Sequence, residues 1–348
     1  MVVLSLFDGI SCGRVALDRS GIPVDRYFAS EVDSYAVAIS MKNYPDIIHL
    51  GDIRNVTFRK GVLSNGTSSY SVKKIDLLIG GSPCQSFTFA GKRQGMVTAE
   101  RKDILSLEEY LGYKDRGYSF EGESYLFWEY VRLLKEVRPT YFLLENVNMS
   151  SKWLEVINAT LNCKPNRINS GLMSAQNRDR LYWTNINNGR IPRPKDRGLL
   201  LKDVVEDRFD LERYRLSKTH CEAFLKSYNW KPCVLEGKSK PLLATYYKQP
   251  PHCPYIPSKV SDSGYRRLAP LECERLQTLP DNYTEAVYNG QPVSDTQRYK
   301  CIGNGWTVDV IGHIFSYLGN KNNAKNRIVR SGKGISEVCQ IPLAELFS

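Results

Sequence analysis

The sequence comprises 348 residues, of which 42% are hydrophobic, and it carries a formal net charge of +11. This length supports a sizeable hydrophobic core and about two domains. No stretch approaches the ~18 consecutive apolar residues of a membrane span, and residues 1–10 lack the basic start of a signal peptide, so we expect a cytoplasmic protein with no membrane partner.

The charged residues and the cysteines restrict the function classes further. There are 48 Lys and Arg residues against 37 Asp and Glu residues, which favours a polyanionic partner such as nucleic acid, although a well-solvated basic surface gives the same composition. The nine cysteines show no paired CxxC spacing, so the sequence predicts reduced thiols rather than a disulfide framework or a zinc site. We expect no bound metal.

In chain order, the N-terminal half alternates between short apolar runs and helical stretches. This alternation predicts an α/β fold with a doubly wound, mostly parallel sheet. Ligands of such sheets bind outside the carboxyl ends of the strands, so the polar residues that end each run mark the expected site. The predicted strands cover residues 2–7, 27–31, 47–53, 75–79 and 141–144, and the predicted helices of this half cover residues 12–20 and 125–137.

The pattern changes after about residue 187. A basic, proline-interrupted stretch leads into a region rich in prolines and aromatic residues, and helical periodicity returns only at residues 271–279 and 308–318. The predicted division is a catalytic and cofactor-binding domain at 1–186, a small inserted domain at 187–264, a return to the catalytic domain at 265–320, and a basic tail with a C-terminal segment at 321–348.

Features at the first strand ends suit a nucleotide ligand. The turn at residues 7–13 carries glycines between a strand and a helix, although it does not match the G-x-G-x-x-G dinucleotide fingerprint. Glu31 could accept hydrogen bonds from ribose hydroxyls, and Asp52 from an exocyclic amine. Each acid could equally be a helix cap or a surface residue.

The most specific pattern is Gly-Gly-Ser-Pro-Cys-Gln at residues 80–85. A strand leads into two glycines and a proline that form a turn, and Cys84 stands at its tip, where a thiolate nucleophile can be exposed. The alternative is a small buried cysteine. The nucleophile is favoured because residues 90–95 form a glycine-punctuated loop with Lys92 and Arg93, as in a lid that closes over an anionic substrate.

Further polar groups follow in the chain. Glu145 presents a carboxyl group at the end of the fifth predicted strand. Arg178 and Arg180 are two residues apart, so on a strand both guanidinium groups would point to one face and could bind a base, a phosphate or a carboxylate. A surface salt-bridge pair is the alternative.

These motifs, in this order, resemble those of the cytosine-5 DNA methyltransferase family from residue 2 to about residue 318. The nucleophile loop resembles bacterial and phage members, whereas Trp306 and the segment 120–127 resemble the animal de novo methyltransferases. The inserted domain would be the target-recognition domain of a Rossmann-like methyltransferase. The motifs that carry the resemblance are residues 7–13, 31, 51–53, 82–85, 145–147, 176–180, 267–283 and 303–304.

The resemblance implies a DNA (cytosine-5-)-methyltransferase that acts on a base flipped out of double-stranded DNA. Cys84 would attack carbon 6 of the cytosine, which makes carbon 5 nucleophilic. Glu145 would hold ring nitrogen N3 and the exocyclic amine, and Arg180, with Arg178, would contact the base carbonyl. The expected DNA-binding residues are Gln85, Ser86, Lys92 and Arg93.

The cofactor that the resemblance implies is S-adenosyl-L-methionine, with S-adenosyl-L-homocysteine as the product. Phe7 would stack on the adenine, Glu31 would bind the ribose, Asp52 would accept from the adenine amine, and Trp306 would pack against the methionine or ribose portion. The expected cofactor-binding residues are Phe7, Asp8, Gly9, Ile10, Gly13, Glu31, Val32, Asp52, Ile53, Ser82, Pro83, Leu126, Asn304 and Trp306.

Three alternatives stay open. Members of the same family that methylate cytosine in tRNA share the catalytic residues, but the Cys-Phe-Thr tripeptide that they usually carry is not in this sequence. A catalytically silent DNA-binding module is disfavoured by the complete set of Cys84, Glu145 and Arg180. A nicotinamide oxidoreductase is disfavoured by the glycine spacing. We expect a monomer, and the sequence neither requires nor excludes a cognate restriction endonuclease.

Overall fold

A computed structural model describes residues 1–83, 95–228 and 230–319 of the protein. Its centre is a seven-stranded sheet in the order β6-β7-β5-β4-β1-β2-β3. Strands β3, β2, β1, β4 and β5 are mutually parallel, whereas β7 runs antiparallel to both β5 and β6. In chain order the strands are β1 Val2–Leu6, β2 Arg26–Ser30, β3 Ile48–His49, β4 Leu77–Gly81, β5 Tyr141–Asn146, β6 Asn166–Asn169 and β7 Asp179–Thr184.

Helices cover both faces of this sheet, so the predicted doubly wound α/β fold is confirmed. The α-helices of the described residues are α1 Cys12–Arg19, α2 Ser34–Asn43, α3 Leu107–Asp115, α4 Phe127–Val137, α5 Ser151–Leu161, α6 Lys218–Tyr228, α7 Pro270–Leu276, α8 Asp295–Asn304 and α9 Val308–Phe315.

Short strands flank the main sheet without joining it. Thr57–Arg59, Val62–Ser64 and Ser69–Ser71 form a three-stranded sheet. The other short strands pair Val97–Thr98 with Phe120–Glu121, Tyr255–Pro257 with Tyr265–Arg267, and Val287–Tyr288 with Gln291–Pro292.

Alternating side chains of the sheet build two separate cores. Val3 and Ile79 face a core that includes α1 and α9, whereas their neighbours Leu4 and Leu78 face a core that includes α3, α4 and α5. Successive side chains of a strand point to opposite faces, and strands covered on both sides read as continuous apolar runs. This explains why β1 and β4 contain no charged residues.

The third predicted strand is wrong in length. We expected residues 47–53 to be extended, but the strand is only Ile48–His49. Gly51 has a φ of +72°, a backbone conformation that glycine adopts readily, and Asp52 caps a 3-10 turn at Ile53–Asn55 through its side chain. Asp52 therefore lies on a turn beyond the sheet rather than at the end of a strand.

A third hydrophobic core lies around residues 187–264. Leu201, Trp230 and Tyr255 pack in the same cluster as Leu276 and Ile302, which come from the later helices α7 and α8. The division into domains stays a prediction, but this region shares its core with segments beyond residue 264. No helix of the described residues is long and apolar enough to cross a membrane.

Candidate active site

The polar groups predicted to share one site lie at the carboxyl edge of the parallel strands. Asp8 follows β1, Glu31 follows β2, and Glu145 lies in β5 opposite Gly81, the last residue of β4. Ser82 and Pro83 continue from β4 at the same edge. The topology thus brings together residues that are more than 130 positions apart in the sequence.

The turn after β1 is held by a buried carboxylate. Phe7 and Ser11 adopt left-handed backbone angles, with φ of 56° and 60°. Asp8 accepts a hydrogen bond from the Tyr27 hydroxyl at 2.8 Å and another from the Ser11 hydroxyl. Burial raises the pKa of Asp8, an effect that these hydrogen bonds only partly offset. Asp8 shapes the turn, and Tyr27 is a contributor that sequence reasoning missed.

Helix α1 approaches the sheet closely at its second residue. A Cβ atom on Gly13 would stand 2.4 Å from Ile79 Cδ1, so only glycine fits there without movement. Ile10 is buried, and its carbonyl accepts a hydrogen bond from the Tyr283 hydroxyl at 2.7 Å. The predicted cofactor turn is therefore anchored by both the sheet and a residue near α7.

Glu31 is oriented by backbone donors on both carboxylate oxygens. Oε2 accepts from the Gly9 N–H at 2.8 Å, and Oε1 accepts from the N–H groups of Val32 and Asp33 at 2.8 and 2.9 Å. Burial raises the pKa of Glu31, while these three donors act in the opposite direction. The Val32 side chain is 73% exposed beside it. The end of β2 therefore presents the oriented Glu31 carboxylate next to the solvent-exposed Val32 side chain.

Asp52 is already engaged by a residue that sequence reasoning missed. The Arg54 side chain donates to both Asp52 oxygens, with Nε at 3.0 Å from Oδ1 and 2.9 Å from Oδ2. This contact lowers the pKa of Asp52 below its usual value. Ile53 is buried, and the half-buried Leu126 packs against the same core. The two-residue spacing of an acid and an arginine is a signal that could have revealed the pair.

Glu145 is held on two sides. Its Oε1 lies 3.0 Å from Nε of Arg180, and its Oε2 accepts a hydrogen bond from Nε1 of Trp306 at 3.1 Å. The residue is only 9% exposed. The structure therefore brings together three of the predicted site residues. The contact with Trp306 was not predicted, because the indole had been assigned to the cofactor alone.

Arg178 makes a different set of contacts from Arg180. Its guanidinium donates to the carbonyl oxygens of Leu242 at 2.8 Å, Gly303 at 3.1 Å and Gly305 at 3.2 Å. The side chain is buried. Arg178 thus ties three segments of the chain together, and its suggested contact with the base stays a prediction.

Ser82, two residues before Cys84, is fixed to β5. Ser82 is buried, and the Asn146 side-chain amide donates to its hydroxyl at 3.0 Å and to its carbonyl at 3.2 Å. Pro83 is half-buried, and Asn304, at the end of α8, is exposed. The predicted residues Cys84, Gln85, Ser86, Lys92 and Arg93 lie outside the described residues.

Burial raises the thiol pKa of every cysteine that the structure describes. The pKa is raised to about 11 for Cys163 and to about 12 for Cys12 and Cys301. A raised pKa suppresses the thiolate, which is the nucleophilic form. The remaining cysteines of this group are Cys221, Cys233, Cys253 and Cys273. Among the described residues, no group of His, Cys, Asp and Glu side chains is arranged to hold a metal ion.

Comparisons with known proteins agree on one family. The family profile described as C-5 cytosine-specific DNA methylase matches residues 1–320. Type II methyltransferase M1.ScrFI of Lactococcus lactis subsp. cremoris is 28% identical over 90% of this chain and 76% of its own length. Type II methyltransferase M.NlaX of Neisseria lactamica is 26% identical over 90% of this chain and 94% of its own.

A solved structure shows the same fold at lower sequence identity. The crystal structure of the S. pombe Dnmt2 methyltransferase matches with a TM-score of 0.65 at 16% identity, covering 91% of this chain and 98% of the yeast chain.

Proposed function

Because the chain belongs to the C-5 cytosine-specific DNA methylase family, we propose that it transfers a methyl group from S-adenosylmethionine to cytosine in duplex DNA through a covalent bond from Cys84. Methylation of carbon 5 of cytosine in DNA is the reaction of this family. The observation that carries the proposal is the paired contact of Glu145 with Arg180 at the strand edge from which the chain leads to Cys84.

The chemistry requires a nucleophile because carbon 5 of cytosine is too weakly nucleophilic on its own. The Cys84 thiolate adds to carbon 6, which gives carbon 5 enamine character and divides one difficult step into two. Bound S-adenosylmethionine supplies an electrophilic methyl group. After transfer, carbon 5 loses its proton to a base or to water, and the carbon–sulfur bond breaks to release the thiolate. The seven described cysteines have raised pKa values, which disfavours each of them as the nucleophile.

Glu145 and Arg180 are suited to hold the base while the thiol adds. The Glu145 carboxyl group would hydrogen-bond to N3 and the exocyclic amine, where charge develops on addition. The Arg180 guanidinium lies beside it at 3.0 Å and would donate to the base carbonyl with its remaining N–H groups. Fixed donors and acceptors of this kind cost no reorganisation during the reaction.

The residues at the ends of β1 and β2 fit the methyl donor. Glu31 Oε2 accepts only one described hydrogen bond, so it retains capacity for a ribose hydroxyl. Apart from its chain neighbours, no described residue has an atom within 4 Å of the place where a Cβ on Gly9 would stand, so the described part of the turn leaves open space. Phe7 and Leu126 would contact the adenine, and Asp52 would accept from its amine while bound to Arg54.

The DNA itself would lie against the nucleophile loop and the region 187–264. Lys92 and Arg93 would contact phosphates, and the region 187–264 would read base edges as a target-recognition domain. The names of the bacterial relatives suggest a restriction-modification setting, with a restriction endonuclease that recognises the same DNA sequence.

Transfer of a labelled methyl group from S-adenosylmethionine tests the substrate. We expect label in duplex DNA and none in tRNA, and transfer to tRNA alone would contradict the proposal. Glu145→Gln should lower the single-turnover rate about 100-fold, since it removes a group that stabilises developing charge. The matched control is Glu108→Gln, an exposed acid that pairs with Lys135 on the surface. Equal rates in both variants would contradict the role of Glu145.

A further inference from the structure

The indole of Trp306 contacts the carboxylate that the proposed reaction uses. Its Nε1 donates to Glu145 Oε2 at 3.1 Å, and Arg180 occupies the other oxygen, Oε1. The two residues of this hydrogen bond are 161 positions apart. With a donor on each oxygen, the Glu145 carboxylate cannot rotate without breaking one of the two contacts.

The surroundings leave room for this hydrogen bond. A Cβ on Gly81 would stand 2.9 Å from both Glu145 Oε2 and Trp306 Nε1, so the absence of a side chain at this position lets the two groups meet. A Cβ on Gly13 would stand 3.5 Å from Trp306 Cζ3, which places the indole against the start of α1. The indole therefore lies beside both glycines, and Gly81 is the one whose missing side chain permits its close approach.

The backbone on either side of the indole is held firmly. The Gly305 carbonyl accepts from Gln277 Nε2 at 3.0 Å and from Arg178 at 3.2 Å. The Thr307 hydroxyl donates to Gln277 Oε1 at 2.8 Å. Because both neighbours of Trp306 are anchored to buried polar side chains, the position of the indole N–H is set by the fold.

We propose that Trp306 is a positioning residue for methyl transfer, whose indole N–H holds Glu145 in the orientation that binds the target cytosine. This inference rests on the proposed function. The sequence led us to expect only that Trp306 packs against the methyl donor. The inference adds that the segment after α8 also helps to bind the target base. Loss of the N–H would lower the rate of the covalent steps while leaving the binding of the methyl donor nearly unchanged.

The first test is Trp306→Phe, which keeps an aromatic ring and removes the N–H. We expect the single-turnover rate on duplex DNA to fall about tenfold, the lower end of what a hydrogen bond to a charged group contributes. The dissociation constant of S-adenosylhomocysteine, measured by calorimetry, should change less than about threefold. Trp183→Phe is the matched control, since its indole donates to Asn158 at 2.7 Å away from Glu145; its rate should stay within about twofold of the unmodified protein.

A double-mutant cycle separates positioning from packing. Contacting residues are not additive, so in a Glu145→Ala background Trp306→Phe should cause no further loss of rate. A full tenfold loss in that background, or a loss confined to affinity for S-adenosylhomocysteine, would overturn the inference. An unmodified protein that transfers no methyl group to DNA would instead overturn the proposed function.

Gly81→Ala tests the same contact without altering either partner. The added Cβ would push Glu145 Oε2 and Trp306 Nε1 apart, so the rate should fall at least as far as in Trp306→Phe. Gly112→Ala is the control, because among the described residues its Cβ would meet only the flexible Arg116 side chain. A Gly81→Ala protein that folds and keeps the full rate would contradict the inference.

Discussion

At the scale of single residues, the directions in which the Arg180 side chain donates hydrogen bonds matter more than its positive charge. The Arg180 guanidinium reaches two acceptors at once, with Nε near Glu145 Oε1 at 3.0 Å and one terminal nitrogen on the Asp179 carbonyl at 2.8 Å. A planar, five-donor group can do this, whereas an ammonium is a single point of charge. Arg180 is therefore not interchangeable with lysine.

Arg180→Lys should lower the single-turnover rate of methyl transfer at least about tenfold, because one ammonium cannot hold Glu145 and the base carbonyl in fixed directions. Arg167→Lys is the matched control, since Arg167 forms an exposed pair with Asp179 and should tolerate the change. The measurement is rapid-quench kinetics at saturating S-adenosylmethionine. Similar rates for both variants would show that geometry at Arg180 is unimportant.

At the scale of secondary-structure elements, β3 ends in a histidine that links the sheet to the turn after β1. His49 Nε2 lies 3.5 Å from the Ser40 hydroxyl, which is 2.6 Å from the Ser11 hydroxyl in the turn after β1. The His49 Nδ1 atom is buried with no hydrogen-bond partner among the described residues. Burial lowers the pKa of His49.

The depressed pKa of His49 predicts a loss of stability in acid. A histidine that is harder to protonate in the folded state contributes stability that is present above its ordinary pKa of about 6.5 and is lost as the pH falls. Denaturant unfolding should therefore show a lower free energy of unfolding at pH 5.5 than at pH 7.5. His49→Gln, which cannot be protonated, should show a smaller drop; an equal drop in both proteins would assign the effect elsewhere.

At the scale of the whole molecule, a buried ion pair at residues 266 and 272 also contacts the region 187–264. Glu272 is fully buried and accepts from both terminal nitrogens of Arg266 at 2.8 Å. It also accepts from the N–H groups of Glu206 at 3.0 Å and Ala269 at 2.7 Å. Removing Arg266 would leave a buried carboxylate without its counter-ion.

Arg266→Met should lower the free energy of unfolding by about 3–5 kcal/mol, the usual cost of breaking a buried pair on one side. Arg215→Met is the control, because the Arg215–Glu212 pair lies near the surface and such pairs contribute little. Chemical denaturation of both variants gives the comparison. If Arg266→Met lowers the free energy of unfolding no more than Arg215→Met does, the prediction that the buried pair stabilises the fold is contradicted.

The sequence predicted those parts of the molecule that depend on local patterns. Strands β1, β2, β4 and β5 lie where their apolar runs indicated, and parallel pairing then brought Asp8, Glu31 and Glu145 to one edge. Helix α2 was not predicted, because its N-cap at Asp33 precedes a stretch without clear amphipathic spacing. Local patterns locate strand ends but say little about which side chains meet there.

The contacts between residues far apart in the chain could not be predicted from the sequence, for a physical reason. The Trp306–Glu145 hydrogen bond depends on how the chain after α8 packs against β4, and no local pattern encodes that packing. The hydrophobic core that the region 187–264 shares with α7 and α8 could not be predicted either, because its residues are far apart in the sequence. Arg54, two residues from Asp52, is the exception that spacing alone could have revealed.

The central claim, that Cys84 bonds to carbon 6 of the target cytosine, can be tested with duplex DNA carrying 5-fluorocytosine. Fluorine cannot leave carbon 5 as a proton does, so the adduct formed on methyl transfer should persist as a covalent protein–DNA complex. We predict this complex for the unmodified protein with S-adenosylmethionine and for the control Cys163→Ser, and none for Cys84→Ser. A covalent complex that forms equally well with Cys84→Ser would contradict the account.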